Sequence, residues 1–105
     1  MAESPYPAEK TDVVCESPDV RVAEITLPPL ARVPTHRHTR SQEICWCLEG
    51  QLTWHTPDEA EHTLQPGERK TFPADQEHTL LNRREAPCRF LLVHGVGAFD
   101  FVKSP

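Results

Sequence analysis

The spacing of prolines is the feature that most constrains how this chain can fold. Eleven prolines are spread along the 105 residues, and they interrupt nearly every stretch long enough to form a regular helix. Proline lacks a backbone donor and clashes with the preceding turn inside a helix, so long helices are disfavoured. Short runs rich in β-branched and aromatic residues recur between the prolines instead. The sequence therefore predicts an all-β protein.

About eight short strands are predicted, and tight turns separate them. Glycine at Glu49–Gly50 and at Pro66–Gly67 can adopt the positive φ that such turns require. Pro34 lies inside a predicted strand, so that strand should lie at an edge or bend there. The predicted strands cover residues 20–27, 32–38, 43–48, 51–55, 61–64, 68–72, 78–82 and 89–96.

This pattern is typical of an antiparallel β-sandwich or β-barrel. Residues 19–105 are predicted to form one such domain, which agrees with the usual domain size. Residues 1–18 are rich in proline and charge, and are predicted to form an N-terminal arm or tail.

Composition and charge exclude several classes of partner. The formal net charge is −5 with neutral histidines, and no basic stripe is present, so a nucleic acid partner is not expected. No apolar run approaches the roughly 20 residues that span a bilayer. The N-terminus has no basic start followed by an apolar stretch, so a secretory signal is not predicted. A cytoplasmic location is therefore predicted, and free thiols are the default there for the four cysteines.

Two histidines one residue apart are the strongest chemical signal. On a strand, His36 and His38 would project from the same face. Glu43 has the opposite phase unless residues 39–42 make a turn, and their polar composition permits one. His78 can supply a third imidazole from a later strand. By itself the pair of histidines is a weak signal, because two imidazoles on a solvated strand also occur without any ion.

The other histidines are predicted to lie outside the site. His62 follows an acidic run and is expected to be exposed, and His55 should face outward because Leu52 and Trp54 are placed in the core. His94 shares a face with Phe90 and Leu92, and is interpreted as a core histidine with satisfied hydrogen bonds, or else as an extra residue of the interior site.

Taken together, these residues resemble the two motifs of the cupin superfamily. His36, His38, Glu43 and Gly50 have the separations of the first motif. Gly67, Pro73, His78 and Asn82 have those of the second. The one departure is Asp75, where the family usually has glycine. Aspartate tolerates positive φ better than most residues, so the turn should survive.

The resemblance implies a small jelly-roll-like β-barrel that holds one divalent metal ion through His36, His38, Glu43 and His78. Fe, Mn, Ni, Co, Cu and Zn all suit three imidazoles and one carboxylate. It also implies that Cys45 and Cys47 face inward as small buried groups, while Ile44 and Trp46 face outward. A homodimer interface would explain these outward apolar residues. Alternatively, the N-terminal arm folds over them.

The superfamily contains many activities, so the fold does not name a reaction. A sugar-epimerase type is disfavoured because the only tyrosine, Tyr6, lies in the predicted arm. The presence of Glu43 counts against a cysteine-dioxygenase type. The first hypothesis is a metal-dependent enzyme, an oxygenase or lyase, acting on a small organic molecule. In that case Arg32 could contact a substrate carboxylate, although a place in solvent at the rim is favoured, and His94 could relay protons. The second hypothesis is a non-catalytic module that binds a small molecule or senses a metal.

Overall fold

The computed structural model describes residues 10–105, and its regular structure consists of ten β-strands. Every predicted strand is present, with ends that differ from the prediction by at most two residues. The part of the chain that the structure describes has no helix able to span a membrane. The strands are β1 (Lys10–Ser17), β2 (Val20–Leu27), β3 (Arg32–Arg37), β4 (Glu43–Glu49), β5 (Leu52–Thr56), β6 (Glu59–Leu64), β7 (Arg69–Phe72), β8 (His78–Leu81), β9 (Cys88–Gly95) and β10 (Val102–Lys103).

The strands form two five-stranded antiparallel sheets that share one apolar core. One sheet has the order β1-β2-β9-β4-β7, and the other has the order β10-β3-β8-β5-β6. This is the predicted all-β architecture. The two sheets pack face to face as a sandwich and together form a barrel-like fold. In each sheet, chain neighbours are often not spatial neighbours, so residues far apart in sequence meet across the core.

Alternation of side chains along the strands builds that core. In β2, the inward residues Ala23, Ile25 and Leu27 are fully buried, while their neighbours are partly exposed. The residues predicted to line the interior from β4, β5 and β8 are all buried. Successive side chains of a strand point to opposite faces, and one face of each strand packs against the other sheet. They are Cys45, Cys47, Leu52, Trp54 and Leu80.

The predicted turns have the expected backbone conformations. Gly50 and Gly67 adopt φ values of 77° and 92°. Asp75 adopts a φ of 70°, so it takes the left-handed conformation expected of the glycine that it replaces. The register of β3 against β8 shifts between Val33 and His36, and this irregularity in the segment that contains Pro34 agrees with the predicted edge position or bend.

Two strands were missed by the sequence prediction. β1 lies within the predicted N-terminal arm, and all but one of its residues are exposed, so no buried face marks it in the sequence. Its backbone pairs with β2 along its whole length. β10 has two residues and pairs with the end of β3. Residues 1–9 of the predicted arm lie outside the described residues, and the division into arm and barrel stays a prediction.

Candidate metal centre

Three structural features bring His36, His38, Glu43 and His78 together. His36 lies at the end of β3, directly opposite His78, the first residue of β8. His38 follows β3 at once. A bend over residues 39–41 then resets the phase of the chain, so that Glu43 begins β4 facing the same interior. This is the turn that the sequence analysis required.

The four side chains form one compact buried cluster. One donor atom from each lies within 4.8 Å of the others, and all four residues are at most 2% exposed. Glu43 Oε1 lies 3.0 Å from His38 Nε2, and Glu43 Oε2 lies 3.1 Å from His78 Nε2. Donors at about 2.1 Å from a common ion would be separated by roughly 3 Å when adjacent, so these spacings are compatible with a shared cation.

Backbone carbonyls fix the orientation of the three imidazoles. Nδ1 of His36 lies 2.8 Å from the carbonyl oxygen of Pro34, and Nδ1 of His78 lies 3.0 Å from that of Gln76. Nδ1 of His38 contacts the carbonyl oxygen of Asp100 in the same way. A carbonyl oxygen only accepts, so each Nδ1 donates and the lone pair of each neutral ring lies on Nε2. Each ring therefore presents an acceptor to the interior, the usual arrangement of metal-ligating histidines.

Aromatic neighbours hold two of these rings in place. Phe72 stacks on His78, with ring centroids 4.2 Å apart and an interplanar angle of 9°. Phe101 stacks on His36 at the same centroid distance and an angle of 15°. Packing on the ring faces restricts rotation and leaves only the ring edges for hydrogen bonds or coordination.

Burial and mutual contacts shape the charges of the cluster. Burial, followed by the proximity of His78, lowers the pKa of His36 to about 4. Burial would raise the pKa of Glu43, but contacts with His78, His38 and His94 hold it well below its usual range. Burial opposes the charged form of His78, yet contact with Glu43 raises its pKa overall. These shifts favour an ionised Glu43 and a neutral His36, and a carboxylate beside a neutral imidazole is a donor set that favours a cation.

His94 lies in this centre, and its interpretation as a satisfied core histidine was wrong. Its Nε2 is 2.8 Å from Glu43 Oε1 and 3.3 Å from His38 Nε2, while its Nδ1 is buried with no hydrogen-bond partner among residues 10–105. Because a carboxylate only accepts, Nε2 of His94 donates to Glu43. Burial is the main cause of the lowered pKa of His94, and the Arg21 charge lowers it further.

Arg21 is a site neighbour that the sequence analysis missed. It faces inward on β2 and pairs across the strands with His94, which in turn pairs with Glu43. Alternation could have identified it, since Arg21 has the phase of the buried residues Ala23 and Ile25. By contrast, Arg32 is exposed, because the bulge in β3 breaks its phase relative to His36, so the rim position is the correct one of its two interpretations.

The C-terminal segment also contributes to the centre, although no sequence pattern indicated it. Residues 98–104, which we call the strap, cross the end of the sandwich where the cluster lies. The ring of Phe99 lies 5.4 Å from that of His38 and 4.8 Å from that of His94, measured between centroids. The carboxylate of Asp100 accepts from the backbone nitrogen of Thr39 at 2.7 Å and also from its hydroxyl. These contacts join the strap to the loop that carries His38.

Comparison with known proteins identifies the family. A family model described as a cupin domain matches residues 23–94. This chain belongs to the cupin family. The match spans the strands from β2 to β9, including all four residues of the cluster. No curated protein sequence matches this cupin significantly.

Solved structures share its fold at low sequence identity. A protein with a double-stranded β-helix domain from Klebsiella pneumoniae superposes with a TM-score of 0.79 and 22% identity, over 89% of this cupin and 81% of that chain. The DMSP lyase DddQ from Ruegeria pomeroyi gives 0.72 and 18%, over 82% and 46%. An oxalate oxidase gives 0.76 and 17%, over 100% and 60%. At these identities the likeness establishes the fold alone.

Proposed function

We propose that this cupin binds one divalent transition-metal ion through His36, His38, Glu43 and His78. The observation that carries this proposal is that one potential ligand atom from each of these four buried residues lies within 4.8 Å of the others. Glu43 Oε1 and Oε2 lie 3.0 and 3.1 Å from Nε2 of His38 and His78, and polar atoms this close repel one another unless a cation or a proton lies between them. The donor set suits Fe, Mn, Ni, Co, Cu or Zn.

The proposed activity is that of a metal-dependent enzyme, an oxygenase or lyase, acting on a small organic molecule. Four protein ligands leave two positions of a six-coordinate ion for other ligands. A bound ion would supply Lewis-acid activation of a substrate or would activate dioxygen. The protein's own part is to orient the ligands through the Nδ1 bonds, to hold Glu43 through the His94 proton, and to exclude water with Phe99 and Phe101. The DMSP lyase and the oxalate oxidase show that enzymes occur on this fold. This supports an enzymatic role for the cupin but does not identify its reaction.

A non-catalytic binding or sensing module is the second candidate, and the apolar interior favours it. The neighbouring core is built largely from residues such as Leu80, Leu92 and Phe90, which offer few donors to a polar substrate. Turnover with a small substrate would distinguish the enzyme, whereas metal binding that changes only stability or ligand affinity would favour the module.

The metal proposal is tested by His78→Ala, with His62→Ala as the matched control because His62 is exposed. We expect the parent and His62→Ala to carry one equivalent of metal after purification, and His78→Ala to carry at least about ten-fold less, since a ligand is lost. Elemental analysis by mass spectrometry measures the content. Equal occupancy in parent and His78→Ala would contradict the proposal.

We also infer that the protein forms a homodimer in the cytoplasm. Support comes from the outer face of the first sheet, where partly exposed apolar side chains adjoin across three strands. A contiguous apolar face of this kind is typical of a contact surface. Residues 10–17 do not cover it, because β1 lies at the sheet edge beyond β2 and β9. The face comprises Val22, Ile44, Trp46, Leu91 and Val93.

A further inference from the structure

An arginine is buried beside the candidate metal centre without a full set of partners. The side chain of Arg21 is 9% exposed, and its Nε faces Glu16 Oε2 at 3.4 Å, a long contact for a charged pair. Its Nη1 is buried and has no hydrogen-bond partner among the described residues. A guanidinium carries a fixed positive charge, and burying one of its donors unpaired is costly. Such a group indicates that a negatively charged partner belongs there.

The space between Arg21 and the cluster is filled by one aromatic ring. The Arg21 guanidinium lies 4.5 Å from the centroid of Phe99. The ring centroid of Phe99 also lies 4.8 Å from that of His94 and 5.4 Å from that of His38. Phe99 thus occupies a position bounded by a cation at one end and by the metal-site histidines at the other.

Phe99 takes no part in the polar contacts that fasten the strap. Its side chain is half-buried, so one side of it is open to solvent. The strap is fastened separately, by the contacts of Asp100 with Thr39 and by the pairing of β10 with β3. A rotation of the Phe99 side chain would therefore open the space without removing the carbonyl oxygen that orients His38.

We propose that Arg21 is a specificity-determining residue that binds the carboxylate of a small organic acid, in the space that Phe99 occupies here. The acid's other end would reach the metal ion, so the proposal rests on the proposed metal site. A guanidinium forms paired, charge-assisted hydrogen bonds with a carboxylate. The apolar ring that now fills the space indicates an organic acid rather than inorganic phosphate.

The test uses the full chain loaded with one equivalent of Co(II), with metal content measured first for every variant. Malonate, succinate and glutarate are titrated by calorimetry, each beside its monoamide, and inorganic phosphate is titrated separately. We expect at least one diacid to bind more tightly than its monoamide and than phosphate. Arg21→Met should keep the metal and bind that diacid about 10- to 100-fold more weakly. Arg32→Met, which removes an exposed arginine, should bind it as the parent does.

A second variant keeps the test informative if Arg21→Met does not fold. Glu16 is exposed, and its carboxylate competes for the guanidinium, so Glu16→Gln should tighten diacid binding by about two- to five-fold. Unchanged binding in Arg21→Met or in Glu16→Gln, or no preference for acid over amide in the parent, would overturn the role of Arg21. Loss of metal from the parent itself would instead overturn the proposed metal site.

Discussion

At the scale of single residues, close backbone approach limits what can replace glycine. Gly97 directly precedes the strap and has a φ of 131°, and a β-carbon built there would lie 1.8 Å from the carbonyl oxygen of Arg40. Gly67 also has positive φ, yet nothing would lie within 4 Å of its β-carbon. A side chain at Gly67 would therefore meet backbone strain alone, whereas a side chain at Gly97 would meet backbone strain and a steric clash.

We therefore expect Gly97→Ala to destabilise the protein much more than Gly67→Ala. The cost at Gly67 is conformational only, about 1 kcal/mol in the free energy of unfolding. At Gly97 the loop that carries Arg40 must also move, which raises the cost to about 3 kcal/mol or more. Urea denaturation of both variants and the parent measures the difference, and equal midpoints for the two variants would contradict it.

At the scale of elements, the two ends of the described chain have different roles. β1 pairs with β2 at a sheet edge and none of its residues joins the histidine cluster. The strap supplies the acceptor for His38 Nδ1 and the ring that stacks on His36. Removing an edge strand and removing the strap should therefore affect the metal centre unequally.

Truncation after Ala98 should lower metal affinity by about ten-fold or more, because the partners that orient metal ligands typically contribute 10- to 100-fold. A chain beginning at Pro18 should keep the parent's affinity, since the four proposed ligands and their acceptors remain. Competition with a chelator measures both values, and circular dichroism verifies that each truncated chain is folded. The idea fails if the strap deletion binds metal as tightly as the N-terminal deletion.

At the scale of the whole molecule, the outer apolar face is the surface through which the proposed homodimer would form. Val93 lies on the middle strand of this face, between Val22 on β2 and Ile44 on β4. We expect the parent to have a dimer's mass and Val93→Glu to have a monomer's, because both cross-strand neighbours of Val93 are apolar and a buried charge without a partner opposes association. Val96→Glu, an exposed apolar position outside the face, should remain dimeric. Light scattering coupled to size-exclusion chromatography measures these masses, and a parent mass near 11.9 kDa would rule the dimer out.

Much of the fold followed from local patterns. Alternation placed His94 on the same face of β9 as Phe90 and Leu92, the cupin resemblance implied the inward face of β4, and turn residues identified most strand ends. β1 was missed because an edge strand held by backbone pairing has no apolar face, and β10 because two residues carry no period. The motif spacing also predicted which four side chains meet, although their role as metal ligands stays a proposal.

Short spacings along the chain predicted the strand pattern and the turns, whereas the convergence of His36, His38, Glu43 and His78 was implied by the resemblance to the cupin motifs. Knowledge of the folded chain was needed to show that the Asp100 carbonyl contacts His38, that His94 contacts Glu43, and that Arg21 lies against Phe99. Those contacts join strands β2, β4 and β9 and the strap, and depend on sheet order and register. No local pattern specifies the relative placement of such distant segments, because packing across the core fixes it.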